Sequence, residues 1–392
     1  MKKKIAILGS TGSIGKSLLK IIEPEKKNFE IILLTANKDY KSLIKQAEKF
    51  KVKNLIIKDK VNYNIAKQRF KSKKIKIFNN YDQYINIFKH KIDYVMSAIT
   101  GLDGLNPTIN IIKYTKNIAI ANKESIICAW CIIQKELTKY KTFFIPVDSE
   151  HFSIWYGLRD NNINSVEKIY LTASGGPFYK TPLNKLKHIK INQALNHPNW
   201  KMGKKISIDS ATMINKIYEL IEAKNIFNIS YNKIEIIIHP KSYVHAIIKF
   251  SNGVTKIIAH DTTMIIPIFN TLYLNSEKKI QSKKIDFKIL NNLSFTKVNL
   301  KKYPMIKLIK LLPNKSSLYE TVIVSANDTL VDLFLKKKLK YLNIQKELFK
   351  FIQSKEFIKY KKITPRNIKD IMKLNEYVRL KLIKKVYKFS DV

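Results

Sequence analysis

The sequence predicts an α/β fold, and three observations support that class. A glycine turn, Gly9-Ser10-Thr11-Gly12-Ser13-Ile14-Gly15, joins an apolar strand to an amphipathic helix. Short apolar runs then alternate with polar helical stretches as far as residue 150, which is the pattern of a mostly parallel sheet covered by helices. Beyond it, strands cluster around a motif-rich stretch, and lysine-rich helical spacing closes the chain. The expected order is a Rossmann-like dinucleotide-binding domain, an α+β catalytic domain and a C-terminal helical domain.

Lys3–Leu8 is the first strand, and Lys16–Glu23 carries Leu18, Leu19 and Ile22 at helical spacing. Between them the glycines let the backbone approach a pyrophosphate, and the helix N-terminus offers N–H groups and a positive dipole end. The spacing is G-x-x-G-x-x-G, and a plain tight turn is the alternative reading. The second strand, Glu30–Leu34, runs into Thr35-Ala36-Asn37-Lys38-Asp39. A site selecting NAD places an acid here to hold the ribose 2′-hydroxyl. Asn37 and Lys38 come first, and a cation welcomes a 2′-phosphate, so NADPH is expected, with Asp39 the one residue against it. Further strands are expected near 54–57, 75–78, 93–98, 117–121 and 143–147.

The apolar run 143–147 leads into Asp148, Ser149, Glu150 and His151. In an extended or turning segment residues i and i+2 point to one side, so Asp148 and Glu150 can serve one ion. Asn215-Lys216-Ile217-Tyr218-Glu219 offers a third carboxylate through the fold. Oxygen ligands without histidine or cysteine suit Mg²⁺ or Mn²⁺. A D-x-E pair standing alone is more often a solvated turn.

After residue 150, strands are expected at 168–173, 234–238, 244–250 and 254–259, within a catalytic domain over 151–285. Residues 286–312 read as a connector, and 313–392 as a helical domain with Leu330, Leu333 and Phe334 on one face. At 392 residues and 45% hydrophobic content the chain can bury sizeable cores. No apolar run approaches the ~18 residues of a membrane span, and a cytoplasmic protein is expected. The formal charge of +43 invites a nucleic-acid partner. The lysines are spread along the whole chain, however, and arginine is confined to Arg69, Arg159, Arg366 and Arg379. Specific base readout leans on the arginine fork, so compositional drift explains the charge better. Cys128 and Cys131 lie in the apolar stretch 126–133; they read as packed helix residues, not half a zinc site or a redox pair. A semialdehyde dehydrogenase would need an activated cysteine, and no charged activator lies beside either one.

Several segments now coincide in order: the glycine turn, Ala121-Asn122-Lys123-Glu124-Ser125, Val147-Asp148-Ser149-Glu150-His151, Ser174-Gly175-Gly176-Pro177-Phe178, His197-Pro198-Asn199-Trp200, 206–216, Ile238-His239-Pro240 and Ala326-Asn327-Asp328. The chain resembles the 1-deoxy-D-xylulose 5-phosphate reductoisomerases over nearly its whole length. That resemblance implies rearrangement of the sugar phosphate to a branched aldehyde and its reduction by NADPH to 2-C-methyl-D-erythritol 4-phosphate, an early step of non-mevalonate isoprenoid precursor synthesis. It implies Asp148, Glu150 and Glu219 as metal ligands and Lys123, Glu150 and His197 as catalytic residues. It implies substrate contacts from Lys123, Ser149, Glu150, His197 and Glu219 and a phosphate cradle of Ser174, Ser210, Asn215 and Lys216. It implies cofactor contacts from Thr11, Gly12, Ser13, Ile14, Asn37, Lys38, Asp39, Asn122, Glu124 and Gly203. Residues 197–203 resemble the family's flap, and a homodimer is implied as well. The chain departs from the family pattern at Lys204, at Ile217 and at Thr262-Thr263-Met264-Ile265, where Pro-Asp-Met-Arg is usual.

Overall fold

A computed structural model of the chain describes residues 1–70, 75–274 and 276–388. They form two compact units. The first comprises Met1–Ser125, Ile132–Phe152 and Met264–Gln281; the second comprises Ile126–Cys131, Ser153–Thr263 and the chain from Ser282 onward.

The first unit is built on seven strands: β1 (Lys3–Leu8), β2 (Phe29–Ala36), β3 (Asn54–Ile57), β4 (Lys76–Phe78), β5 (Ile92–Ser97), β6 (Thr115–Ile120) and β7 (Phe143–Pro146). Their order is β4-β3-β2-β1-β5-β6-β7, and every pairing is parallel. A parallel strand covered on both faces must be apolar throughout, and Ile5, Ala6, Ile7 and Leu8 are fully buried. The strand order reverses between β1 and β5, and in such sheets ligands bind outside the carboxyl ends at that point. The glycine turn lies there. Gly9 has φ +80°, and a side chain on it would strike the Ala98 carbonyl after β5. A side chain on Gly15 would strike the Ser10 backbone, so this glycine lets helix Ser13–Ile22 close onto the turn.

The second unit holds β8 (Val166–Ala173), β9 (Ile234–Ile238), β10 (Val244–Phe250), β11 (Thr255–Ala259) and β12 (Thr296–Lys297), in the order β11-β10-β8-β9-β12. β8 and β9 are parallel, and the remaining pairs are antiparallel. Helices Lys204–Thr212 and Ile214–Phe227 follow residues 197–203. Helix Tyr319–Leu335 is buried on nearly every side, with the polar Glu320, Thr321, Ser325, Asn327 and Thr329 enclosed among its apolar residues. It packs against helices Tyr341–Ile352 and Ile368–Lys388. No described helix is long and apolar enough to cross a membrane.

Two sequence expectations change. Residues 264–281, expected within 151–285, belong to the first unit. Helix Ile265–Leu272 packs on helix Ser13–Ile22, the Tyr94 and Thr271 hydroxyls bond at 2.8 Å, and Lys3 donates to the Leu272 carbonyl. The stretch 286–312, expected as a connector, is partly structured: β12 adds antiparallel to β9, and Pro304–Leu311 forms a 3₁₀ segment with Met305 and Leu308 buried. Cys128 and Cys131 lie within helix Lys123–Lys139, as expected.

Candidate active site

In the first unit the glycine turn is pinned to the end of β2. The Gly9 N–H donates to the Thr35 hydroxyl at 2.9 Å, and the Ser10 N–H to the Thr35 carbonyl at 2.9 Å. Gln46 closes the turn from the side, accepting from Ser10 Oγ at 2.7 Å and donating to the Ser10 carbonyl at 3.0 Å. Gly12 begins the helix with no side-chain cap, so the first N–H groups, at Ser13, Ile14 and Gly15, have no partner within the helix. Thr11, Gly12, Ser13 and Ile14 are exposed or half-buried, as an anion-binding turn requires.

Asn37, Lys38 and Asp39 are exposed at the end of β2. The Asp39 carboxylate accepts from the Ser42 N–H at 3.1 Å and caps helix Tyr40–Phe50. That local task explains an acid at this strand end, which read as evidence against NADPH in the sequence. Asn122 caps helix Lys123–Lys139 through the Ser125 N–H at 2.6 Å, and its amide donates to the carbonyls of Ile99 and Gly101. The side chain is thus committed to the loop after β5. Glu124 is buried in the first turn of the same helix.

Asp148 stands where β7 gives way to helix Ser149–Gly157, so of the extended or turning segment expected here it is the turning one that forms, with Glu150 in the first helical turn. Asp148 accepts the Glu150 N–H at 3.3 Å, and Ser149 Oγ donates to Glu150 at 2.5 Å. The Lys123 ammonium sits 2.7 Å from one Asp148 oxygen, and His151 Nδ1 lies 3.3 Å from the other. Burial alone would raise this carboxyl, but Lys123 and His151 outweigh it and hold Asp148 well below the usual carboxylate range. The result is a carboxylate kept ionised at neutral pH. The buried His151, which the sequence reading passed over, orients it.

In the second unit, helix Ile214–Phe227 presents Asn215, Lys216 and Glu219 together. Lys216 and Glu219, at i and i+3, form a buried ion pair, and the Asn215 amide donates to Glu219 at 2.5 Å. His197 is nearby. Its Nδ1 accepts two N–H groups of the segment that follows it, Asn199 at 3.2 Å and Trp200 at 3.0 Å. The proton must therefore sit on Nε2, which donates to Ser174 Oγ at 3.1 Å. Burial, aided by the Lys216 charge, pulls the His197 pKa down to about 4, so the ring is neutral. Ser174 Oγ also accepts the Gly176 N–H at 3.0 Å, which leaves its own proton to donate. Gly176 has φ +66°, and a side chain there would strike the Ser210 carbonyl, so the Ser174 turn lies directly against Ser210. A hydroxyl with a proton to give, a buried ammonium and a glycine turn together suit a phosphate.

Three further braces support these turns. The Tyr303 hydroxyl donates to the Gly175 carbonyl at 2.7 Å. Tyr341 donates to the Ala211 carbonyl at 2.7 Å. Lys205 bridges Asp209 at 3.3 Å and Asp328 at 2.9 Å, and Asn327 donates to Asp209 at 2.8 Å. The last of these accounts for the Ala326-Asn327-Asp328 motif: it ties the helix bearing Ser210 to helix Tyr319–Leu335. Gly203 is exposed at the start of helix Lys204–Thr212.

Sequence profiles of one family match three stretches: 1-deoxy-D-xylulose 5-phosphate reductoisomerase over residues 5–130, its C-terminal domain over 144–227, and the DXP reductoisomerase C-terminal domain over 261–381. The reductoisomerase of Pelagibacter ubique is 58% identical over 97% of this chain and 98% of its own. The chain belongs to the 1-deoxy-D-xylulose 5-phosphate reductoisomerase family. A relative from a Thermoanaerobacter strain is 38% identical over 98% of this chain and 99% of its own. The Zymomonas mobilis reductoisomerase solved with NADPH superposes at a TM-score of 0.87, with 31% identity, 98% of this chain and 99% of that one covered. A second reductoisomerase solved with NADPH, fosmidomycin and magnesium gives 0.90, with 28% identity and 99% of each chain covered. The α/β fold with a Rossmann-like first sheet is that of the reductoisomerases.

Proposed function

We propose that the protein rearranges 1-deoxy-D-xylulose 5-phosphate and reduces the product with NADPH to 2-C-methyl-D-erythritol 4-phosphate, using Mg²⁺ or Mn²⁺. One observation carries this reading beyond family membership: helix Ile214–Phe227 turns a phosphate-type cation, Lys216, and an oxygen ligand, Glu219, to one buried face. A sugar phosphate has both ends to match.

Asp148, Glu150 and Glu219 are the metal ligands. The donor set fits a hard cation, because it is all carboxylate and Asp148 is held ionised by its surroundings. Bound there, the ion supplies Lewis acidity toward the substrate's carbonyl and hydroxyl oxygens. NADPH, seated on the glycine turn with Thr11 to Ile14 and with Lys38 toward its 2′-phosphate, supplies the hydride. Asn37, Asp39, Asn122, Glu124 and Gly203 complete its surroundings; Asn122 does so by holding the loop at Ile99 and Gly101 in place.

The protein's own groups position the substrate. Ser174, Ser210, Asn215 and Lys216 grip the phosphate, with the Ser174 proton directed outward by its two incoming bonds. Lys123 offsets charge on substrate oxygens, and Ser149 and Glu150 orient its hydroxyls. Neutral His197 fixes the start of the flap, which closes over the substrate and excludes water.

The enzyme acts as a cytoplasmic homodimer with no specific nucleic-acid and no membrane partner. Light scattering should give about twice 45.8 kDa. The reading as a whole is tested by incubating protein, sugar phosphate, NADPH and Mn²⁺ and identifying the product by mass spectrometry and phosphorus NMR. The expected product is the branched-chain erythritol phosphate; NADPH consumption without skeletal rearrangement would refute it.

A further inference from the structure

The flap rests on a surface built partly from the segment in which this chain departs from its family. The Asn199 amide donates to the Pro240 carbonyl at 2.7 Å and to Ser242 Oγ at 2.9 Å. Ser242 has φ +51°, and its carbonyl accepts the Thr262 hydroxyl at 3.2 Å. The next flap residue, Trp200, meets the His245 ring edge-on at 6.2 Å between centroids. His245 is itself stacked on His260, 3.8 Å apart and 18° from parallel, and its Nε2 donates to the His260 carbonyl at 3.2 Å. His260 Nδ1 in turn donates to the Asp261 carbonyl at 2.8 Å, which fixes its ring.

Two adjacent flap residues thus land on two supports, and each support is backed by a residue between Ala259 and Thr263. We propose that His260 and Thr262 are positioning residues that form the landing floor of the flap. This deepens the reductoisomerase reading and rests on it. The physics is preorganisation. The bond from His245 Nε2 to the His260 main-chain carbonyl anchors one atom of the ring, and stacking on a second, hydrogen-bonded imidazole fixes the ring plane in which it meets Trp200. The Thr262 bond does the same for the left-handed Ser242, keeping its hydroxyl where Asn199 finds it. Neither residue is among those proposed to hold substrate, cofactor or metal. Their effect appears in how readily the flap docks, hence in KM more than in kcat.

The test uses Trp200 as its own reporter, in a background carrying Trp130→Phe and Trp155→Phe. In the ligand-free protein, His260→Ala should raise acrylamide quenching of Trp200 about threefold. In steady-state assays it should raise KM for the sugar phosphate by about three- to tenfold, change kcat less, and leave NADPH affinity unaltered. His260→Phe keeps a ring to stack on and should return both readouts most of the way to wild type. Thr262→Val should shift them in the same direction as His260→Ala, by a smaller factor. Unchanged quenching and KM in His260→Ala would overturn the proposal, as would a His260→Phe variant no better than alanine. The quenching arm needs no substrate, so a quenching result as expected with no turnover in the wild type would fault the reductoisomerase reading and leave the floor standing.

Discussion

Acid should loosen the flap by protonating His197, and the size of the effect follows from the structure. The Nδ1 of this ring accepts the Asn199 and Trp200 N–H groups, so a proton there destroys two hydrogen bonds at once. Burial and Lys216 lower its pKa from 6.5 to about 4. A group whose folded pKa is depressed contributes stability that is full above its unfolded value and lost as pH falls. For His197 that window runs from 6.5 down to about 4. A shift of that size corresponds to about 3 kcal/mol at most, and solvent screening of a partly accessible site leaves roughly 1–2 kcal/mol. Urea unfolding at intervals across the window, wild type against His197→Gln, isolates it. The comparison is needed because buried Glu320, raised to about 7 by desolvation, contributes with the opposite sign. The wild-type minus variant difference should grow by roughly 1–2 kcal/mol from pH 4 to pH 6.5. A flat difference would refute the assignment of a neutral ring protonated on Nε2.

Two further outcomes follow from the cofactor turn and the flap. NADPH should be strongly preferred over NADH, and Lys38→Glu should erode the preference by about 1–3 kcal/mol through loss of one charge-assisted contact; comparable kcat/KM for the two cofactors in the wild type would contradict this. Trp200→Ala should fold and bind metal normally but show higher KM and lower kcat together, because the edge contact with His245 is lost; wild-type kinetics would mean that the flap does not cover the site.

Much of this was legible in the residues because the signals were local. The strands at 54–57, 234–238 and 244–250 are apolar runs bounded by turn residues, and β3, β9 and β10 occupy those positions. The glycine turn was legible for the same reason, with Gly9 and Gly15 needed by steric contacts a few residues away or across one strand. What the sequence concealed is non-local. Nothing in 264–281 marks it as packing on helix Ser13–Ile22. A two-residue strand, Thr296–Lys297, is too short to carry a period. The Asp39 carboxylate read as a ribose ligand or an obstacle to NADPH, whereas its partner is the Ser42 N–H three residues on. An extended or turning segment pairs Asp148 with Glu150, and only folding shows that the turn is the start of a helix. The tautomer of His197, the bracing of the Ser174 turn by Tyr303 and the stacking of His245 on His260 depend on side chains brought together by folding.

The central claim is a three-carboxylate metal site at the heart of the chemistry, and one assay addresses it: NADPH oxidation with the sugar phosphate, in wild type, Asp148→Asn, Glu150→Gln and Glu219→Gln, with Mn²⁺ or with EDTA. Turnover should vanish in EDTA and return with Mn²⁺. Each variant should lose about a hundredfold or more, with part of the loss at Asp148 or Glu219 recovered at high Mn²⁺. NADPH affinity should barely move, because the proposed seat of the dinucleotide is the turn around Gly12. Full turnover in EDTA, or near-normal turnover in any of the three variants, would contradict the account.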